Sequence, residues 1–230
     1  VIADVRVLLV SDLHANPFAL EVLPAADVVL CAGDLVDYGP DPRAVISWCR
    51  TNAAAIVHGN HDRALAFDEG DGVPSSMREA SEATRLLHRA LLDESDLGYL
   101  RALPRVATIR LDSVTIALTH ATVEDAHHYA PLCEAGASVR AAVPNAAVVV
   151  VGHTHLQGVV ALDGAVAVNP GSVGMSTAGG LAHYAIWEDG RLTLHSTPYD
   201  VAATLAALGE MRLPARVRAT LHDAFRHGRR

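Results

Sequence analysis

Seven residues of metal-ligand type stand just past short apolar runs: Asp12 and His14 in "SDLH", Asp34 in "GDLVDYGP", Asn60 in "HGNHD", His120 in "LTH", and His153 and His155 in "GHTH". Two aspartates, one asparagine and four histidines form a mixed oxygen and nitrogen set of the kind that serves two divalent ions a few ångströms apart. His153 and His155, at i and i+2 after a strand, can point the same way, so each is expected to hold one of the two ions. Asp34 is the natural bridge between them, because Gly33 lets the backbone pass close to the ions. Singly, each residue has a structural explanation: Asp12 as a helix cap before Pro17, Asp34 as a turn former, His120 as a satisfied core side chain. Jointly, five such blocks at strand ends point to a dinuclear site.

The elements that must position these residues are legible as alternating β and helical patterns. "VRVLLV", "DVVLCA" and "AAAIV" are continuous apolar runs, as in strands covered on both faces. Between them lie a short helix in "NPFALEVLP" and a second in "DPRAVISWCR", with Asp41 as N-cap and Pro42 in its first turn. Residues 75–102 read as helical, with a second helix starting at the "DES" turn at Asp93. Hairpins follow around Asp112-Ser113, Asp163-Gly164 and Asp189-Gly190, with a helix around Cys133 to Ala142. The C-terminal segment reads as two helices broken near Leu213-Pro214, ending in the basic tail "RHGRR". No linker or repeat interrupts the series, so one domain spanning 1–230, built from two packed sheets with outer helices, is expected. In such sheets the carboxyl ends of parallel strands share one edge, where the seven residues should converge.

Composition removes several function classes. Among 230 residues half are hydrophobic, enough for a large core, and the formal net charge is -8, which disfavours a nucleic-acid polymer as partner. The chain contains no lysine, excluding a P-loop lysine, a Schiff-base lysine and a Ser-Lys dyad. Cys31, Cys49 and Cys133 form no CxxC pair, so neither a disulfide framework nor a thiolate zinc site is expected, and a reducing cytoplasm fits. The longest purely apolar stretch, Ala146 to Val151, is too short for a bilayer, and "VIADVRVLLV" lacks a charged leader region, so no membrane role is expected. The oligomeric state is left open.

In this order, "DLH", "GDLVDYG", "GNHD", "TH" and "GHTH" resemble the five signature blocks of the calcineurin-like metallophosphoesterase family. "NPGSVG" at Asn169 to Gly174 and "PYDVAATLAAL" at Pro198 to Leu208 are similar to its small bacterial and archaeal subgroup. The resemblance implies an α/β fold, a four-layer α-β-β-α sandwich of two mixed sheets flanked by helices. It also implies that Asp12, His14, Asp34 and His155 bind one metal, and that Asp34, Asn60, His120 and His153 bind the other. A metal-bridging hydroxide would attack phosphorus. His61, which matches the non-ligand histidine of the "GNH" block, would protonate the leaving oxygen, with Asp62 orienting its ring and raising its pKa. The cofactors implied are two divalent transition-metal ions, Mn²⁺ favoured, with Fe, Zn²⁺, Co²⁺ or Ni²⁺ compatible with the ligands.

The substrate implied is a small phosphorylated molecule, a phosphoester or phosphoanhydride such as a nucleotide. Diadenosine tetraphosphate is the first specific expectation, ahead of a broad phosphodiesterase and a phosphoprotein phosphatase; a non-enzymatic scaffold on the same fold is the rival class. Two departures bear on this. Tyr38 stands where protein phosphatases carry a phosphate-holding arginine, so Tyr38 is expected to line the substrate cleft, together with segments 67–76 and 127–131. Ala15 stands where the subgroup has glycine between His14 and Asn16, which implies that no glycine-only angle is required there.

Overall fold

In the computed structural model, which describes residues 5–228, the strand β1 (Val7–Val10) divides its side chains between two cores. Val7 and Leu9 enter one hydrophobic cluster, Leu8 and Val10 another, as the two-residue period of a strand requires. The remaining elements follow as α1 (Pro17–Leu20), β2 (Val28–Cys31), α2 (Pro42–Asn52), β3 (Ala53–Ile56), α3 (Asn60–Phe67), α4 (Ser75–Leu91) and α5 (Glu94–Ala102). A second half contains β4 (Val106–Leu111), β5 (Val114–Thr119), α6 (Leu132–Ala142), β6 (Val148–Val150), β7 (Gly158–Leu162) and β8 (Ala165–Asn169). The chain then runs through β9 (Leu181–Glu188), β10 (Arg191–Pro198), α7 (Val201–Glu210) and α8 (Ala215–His227). Residues 1–4 and the last two of the basic tail, Arg229 and Arg230, lie outside the description.

Two mixed five-stranded sheets result, ordered β10-β9-β1-β2-β3 and β4-β5-β6-β8-β7. β1, β2 and β3 run parallel, as do β5, β6 and β8, and the hairpin strands add antiparallel edges. Val7, Leu9 and Leu30 of the first sheet meet Ile116, Leu118, Val148 and Val150 of the second in the inter-sheet core. The opposite face of the first sheet buries Leu8, Val10 and Cys31 against Val45, Ile46 and Cys49 of α2 and Leu100 of α5. On the far side Ala117, Val149 and Ala167 pack against Ala135 and Val139 of α6. The order is therefore helix, sheet, sheet, helix, the expected four layers. The helix starts expected at Asp41 and Asp93 are capped as read, by bonds from the Ala44 and Asp96 amides. Among the described residues no helix is long and apolar enough to cross a membrane.

Candidate metal centre

Every parallel strand of the two sheets ends at the same edge, and the loops leaving them continue to bond to one another. Past β1 and β2, the Asp12 amide donates to Gly33 O at 2.9 Å and the His14 amide to Asp34 O at 2.9 Å. Past β5 and β6, the Gly152 amide donates to His120 O at 2.8 Å. Gly33, at φ +96, and Gly59 permit close approach: a Cβ on Gly59 would lie 1.9 Å from Asp34 Oδ1, and one on Gly33 2.6 Å from the Gly59 nitrogen. The passage of backbone close to Asp34 expected from Gly33 is thus present.

The turns have a conformational cost. Asp12, His14, Asp34, Asp37, Tyr38, His153 and His155 all adopt left-handed backbone, with φ between 44° and 67°. Each such non-glycine residue costs roughly 1–2 kcal/mol, so strain concentrates at the site and is offset by the buried bonds around it. Ala15 shares it, at φ 49°. The expectation from its side chain is corrected to this extent: the angle is one that favours glycine, and alanine carries it because its amide is anchored to Leu35 O at 2.8 Å.

All seven candidate ligands are buried and face one another. His155 Nε2 is 3.3 Å from Asp12 Oδ1 and 3.1 Å from His14 Nε2. His120 Nε2 is 3.1 Å from Asp34 Oδ2 and 3.0 Å from Asn60 Oδ1. Asp12, His14 and His155 offer ligand atoms within 4.8 Å of one another, and so do Asp34, His120 and His153. His14 Nε2 lies 3.9 Å from Asp34 Oδ2, which links the two groups.

The histidine rings are aimed from behind. His14 Nδ1 bonds Val36 O at 3.0 Å, His120 Nδ1 bonds Ala32 O at 2.7 Å, and His155 Nδ1 bonds Met175 O at 2.7 Å. An Nδ1–H held by a carbonyl leaves the Nε2 lone pair pointing inward, the tautomer a metal requires. Both carboxylate oxygens of Asp12 and Nε2 of His153 are buried without a hydrogen-bond partner. Such orphans are rare in folded proteins unless an ion or water completes them, so the residues fit divalent cations.

Electrostatics agrees with a cluster that stores both signs of charge. Burial and the neighbouring His155 hold His14 well below the usual histidine range. Burial also opposes a charged His120, yet Asp34 beside it pushes that ring up to about 10. His153 is pulled down to about 3 by burial and by His120. Burial would raise Asp34, but His120 and His61 keep it well below the usual carboxylate range.

His61 occupies the first turn of α3, its amide bonded to Asp34 Oδ1 at 3.0 Å. Its Nδ1 lies 2.8 Å from Asp37 Oδ2. Despite burial, Asp34 and Asp37 push it up to about 9. The expected partner, Asp62, is elsewhere: its carboxylate accepts from the amides of Asp34 (2.9 Å), Leu35 (2.8 Å) and Gly59 (2.9 Å). The correction has a local reason. Asp62 is the third residue of a helix capped at Gly59, where an acidic side chain folds back onto the cap and faces away from a ring on the first turn. Asp37 is in turn fixed by its amide, which donates to His88 Nδ1 at 3.1 Å, and by Ser81 Oγ at 3.3 Å.

A cavity of about 310 Å³ opens over Asp34, His61, His153 and His155, and is walled by Tyr38, Pro74, Met77, Tyr129, Leu156 and Met175 among others. Tyr38 lines this cavity, edge-on to His14 and His61. The segments 67–76 and 127–131 contribute Pro74, Ser76 and Tyr129, while His128 pairs outward with Glu134 at 2.8 Å. Asn169 shapes the turn near the centre as read, its Nδ2 donating to Gly152 O at 2.7 Å. His58 is buried outside the ligand groups, and Arg63 pairs with Glu69 at 2.8 Å instead of facing the cleft. Sequence reasoning missed Asp37 as the ring partner, although it stands inside "GDLVDYG". It also missed Leu156 and Met175, whose apolar character carries no site signal, and gave Tyr129 only as part of the segment 127–131.

Comparison with known proteins follows the same lines. The profile of the calcineurin-like phosphoesterase superfamily domain matches residues 5–189. A metallophosphoesterase from Sphaerobacter thermophilus superposes with a TM-score of 0.73 at 26% identity, over 96% of this chain and 100% of that one. A hypothetical protein from Pyrococcus horikoshii gives a TM-score of 0.77 at 19% identity, over 97% and 98% of the two chains. An uncharacterized protein of Methanocaldococcus jannaschii is 23% identical over 243 residues, 89% of this chain and 92% of its own length.

Proposed function

Because the chain belongs to the calcineurin-like phosphoesterase superfamily, we propose that it is a dinuclear metal-dependent hydrolase of a small phosphorylated substrate, cleaving a phosphoester or phosphoanhydride bond. The observation that carries this reading is the pair of ligand groups joined at Asp34, with buried, partnerless ligand atoms in each. Asp12, His14, Asp34 and His155 would hold one ion; Asp34, Asn60, His120 and His153 the other. Two divalent ions held there would supply Lewis acidity and an activated water, with manganese the first candidate and Fe, Zn²⁺, Co²⁺ or Ni²⁺ compatible with the donors.

The chain's own residues perform the rest. Backbone carbonyls behind His14, His120 and His155 fix the rings, and low exposure excludes bulk water from everything but the cleft. His61 lines the cleft with Nδ1 committed to Asp37, so Nε2–H is the atom that can hand a proton to the departing oxygen. Tyr38 closes the wall beside it.

Hydrolysis of bis-p-nitrophenyl phosphate with added Mn²⁺, with an EDTA control and metal counting on the same sample, tests this reading. Chelator-sensitive turnover by protein holding two ions per chain is expected. Two bound ions with no turnover on any phosphoester would favour the scaffold class instead.

A further inference from the structure

Outside the five blocks, one residue touches both halves of the site from behind. Asp71 lies in the loop between α3 and α4 and is buried. Its main-chain carbonyl accepts from Asn60 Nδ2 at 2.8 Å and from His127 Nδ1 at 2.9 Å. A carbonyl can only accept, so the first bond decides which way the Asn60 amide is turned: Nδ2 faces the loop, and Oδ1 lies 3.0 Å from His120 Nε2. That is the orientation in which Asn60 can offer an oxygen to a cation.

The Asp71 side chain reaches the other half. Its Oδ1 accepts from the Val73 amide at 3.3 Å, which folds the loop into a tight turn, and its Oδ2 lies 3.1 Å from Arg85 Nη2. Ser81, four residues before Arg85 and so on the same face of α4, bonds Asp71 Oδ2 and lies 3.3 Å from Asp37 Oδ2. Asp37, Asp71 and His61 thereby bring polar atoms within 4.8 Å of one another. Two buried carboxylates at that distance repel, and the Arg85 guanidinium offsets the repulsion. An ion pair that only anchored the loop would cost less in solvent, where neither charge is stripped of water.

We propose that Asp71, held by Arg85, is a positioning residue for both halves of the centre. Its carbonyl turns Asn60 toward its ion, and its carboxylate, through Ser81, steadies Asp37 behind His61. Asp71 itself does not line the cleft, so it acts only through these neighbours. The proposal rests on the hydrolytic reading above and adds to it a residue that none of the five blocks contains.

Titration calorimetry of the metal-free protein with Mn²⁺ reads the first arm without turnover. In Asp71→Ala, the binding event that Asn60→Ala abolishes should weaken about tenfold while the other keeps its affinity, and Ser81→Ala should keep both. The second arm is read as the ratio of kcat on bis-p-nitrophenyl phosphate to kcat on diphenyl phosphate, which measures how far the leaving oxygen depends on a proton. That ratio should rise about fivefold in Asp71→Ala and in Ser81→Ala, and Arg85→Lys should restore most of what Arg85→Gln loses. Either readout unchanged in Asp71→Ala overturns the proposal for that half of the site. Both unchanged, with only Tm lowered, would make Asp71 a loop anchor and leave the phosphoesterase reading intact. If Asp71→Ala does not fold, Ser81→Ala and Arg85→Gln decide, and a wild-type ratio in both overturns the proposal. Wild-type protein that holds two ions and hydrolyses neither ester would instead bring down the parent reading, and the His61 half of this one with it.

Discussion

Nδ1 of His61 lies 2.8 Å from Asp37, which reaches it from the loop after β2 although Asp62 is its neighbour in the chain. The pair orients the ring and leaves Nε2 toward the cleft, so in the proposed reaction Asp37 would act through His61 as a positioning residue. Asp37→Asn should therefore lower kcat about tenfold on a phenyl ester, whose leaving oxygen needs a proton. On a p-nitrophenyl ester, whose leaving group departs unaided, kcat should stay within about twofold. Equal losses on the two esters would show that Asp37 does not serve proton donation.

Asp62 has a different task. Its carboxylate is fully buried and accepts three backbone amides that tie the ends of β2 and β3 together. Replacing it by asparagine leaves those amides a neutral acceptor and turns one bond into a donor facing a donor. Burial and the neighbouring Asp34 push its carboxyl up to about 7, against the pull of the Gly59 and Leu35 amides, so the charged acceptor is present above that pH. Since hydrogen bonds to charged groups contribute about 1.5–3 kcal/mol, Asp62→Asn should destabilise the protein by about 2–3 kcal/mol at about pH 8. Urea denaturation of the metal-free protein measures this; an unchanged midpoint would contradict it.

The division between these two aspartates shows where the sequence stops being informative. Each ligand follows an apolar run, and runs of four to six largely apolar residues announce strands whose ends must meet, so the ligand edge is readable from the pattern alone. The hairpins are readable for a similar reason, because Asp-Gly and Asp-Ser turns punctuate alternating strands. The partner of a ring is another matter: it depends on which way a side chain leaves a loop, and Asp37 does so from left-handed backbone at φ 65° that no local pattern requires. Leu156 and Met175 are equally silent, since only the folded loops bring them to the cleft.

In the proposed dinuclear site the two ligand groups would make separable demands on metal. Asp12→Ala removes a donor from the His14 and His155 side alone, and His153→Ala removes one from the His120 side alone, whereas Asp34 reaches both. Metal counting should then give about one ion per chain for each of the first two variants and none for Asp34→Ala. Because ligands that bind only the native state stabilise by mass action, EDTA should lower Tm of the wild type more than that of any variant. Full occupancy in Asp34→Ala would remove the bridging role.

His88 couples acidity to the same machinery from behind. Buried in α4, it accepts the Asp37 amide at Nδ1 (3.1 Å) and donates Nε2–H to Gly39 O (2.9 Å), an arrangement open only to the neutral ring. Burial lowers its pKa, outweighing the opposing pull of the Asp37 carboxylate, 4.0 Å away, and of Asp41. The unfolded chain takes up a proton at about pH 6.5 while the native ring refuses it, so this contribution is fully present above that pH. It is lost as pH falls from about 6.5 toward the lower native value, at no more than about 1.4 kcal/mol per pH unit. His88→Gln keeps one donor and one acceptor without the titration. Its unfolding free energy should fall less steeply than that of the wild type between pH 6.5 and 5, by up to one proton in the slope. Parallel slopes for the two proteins would mean that His88 is already protonated in the native state or that it titrates alike in both.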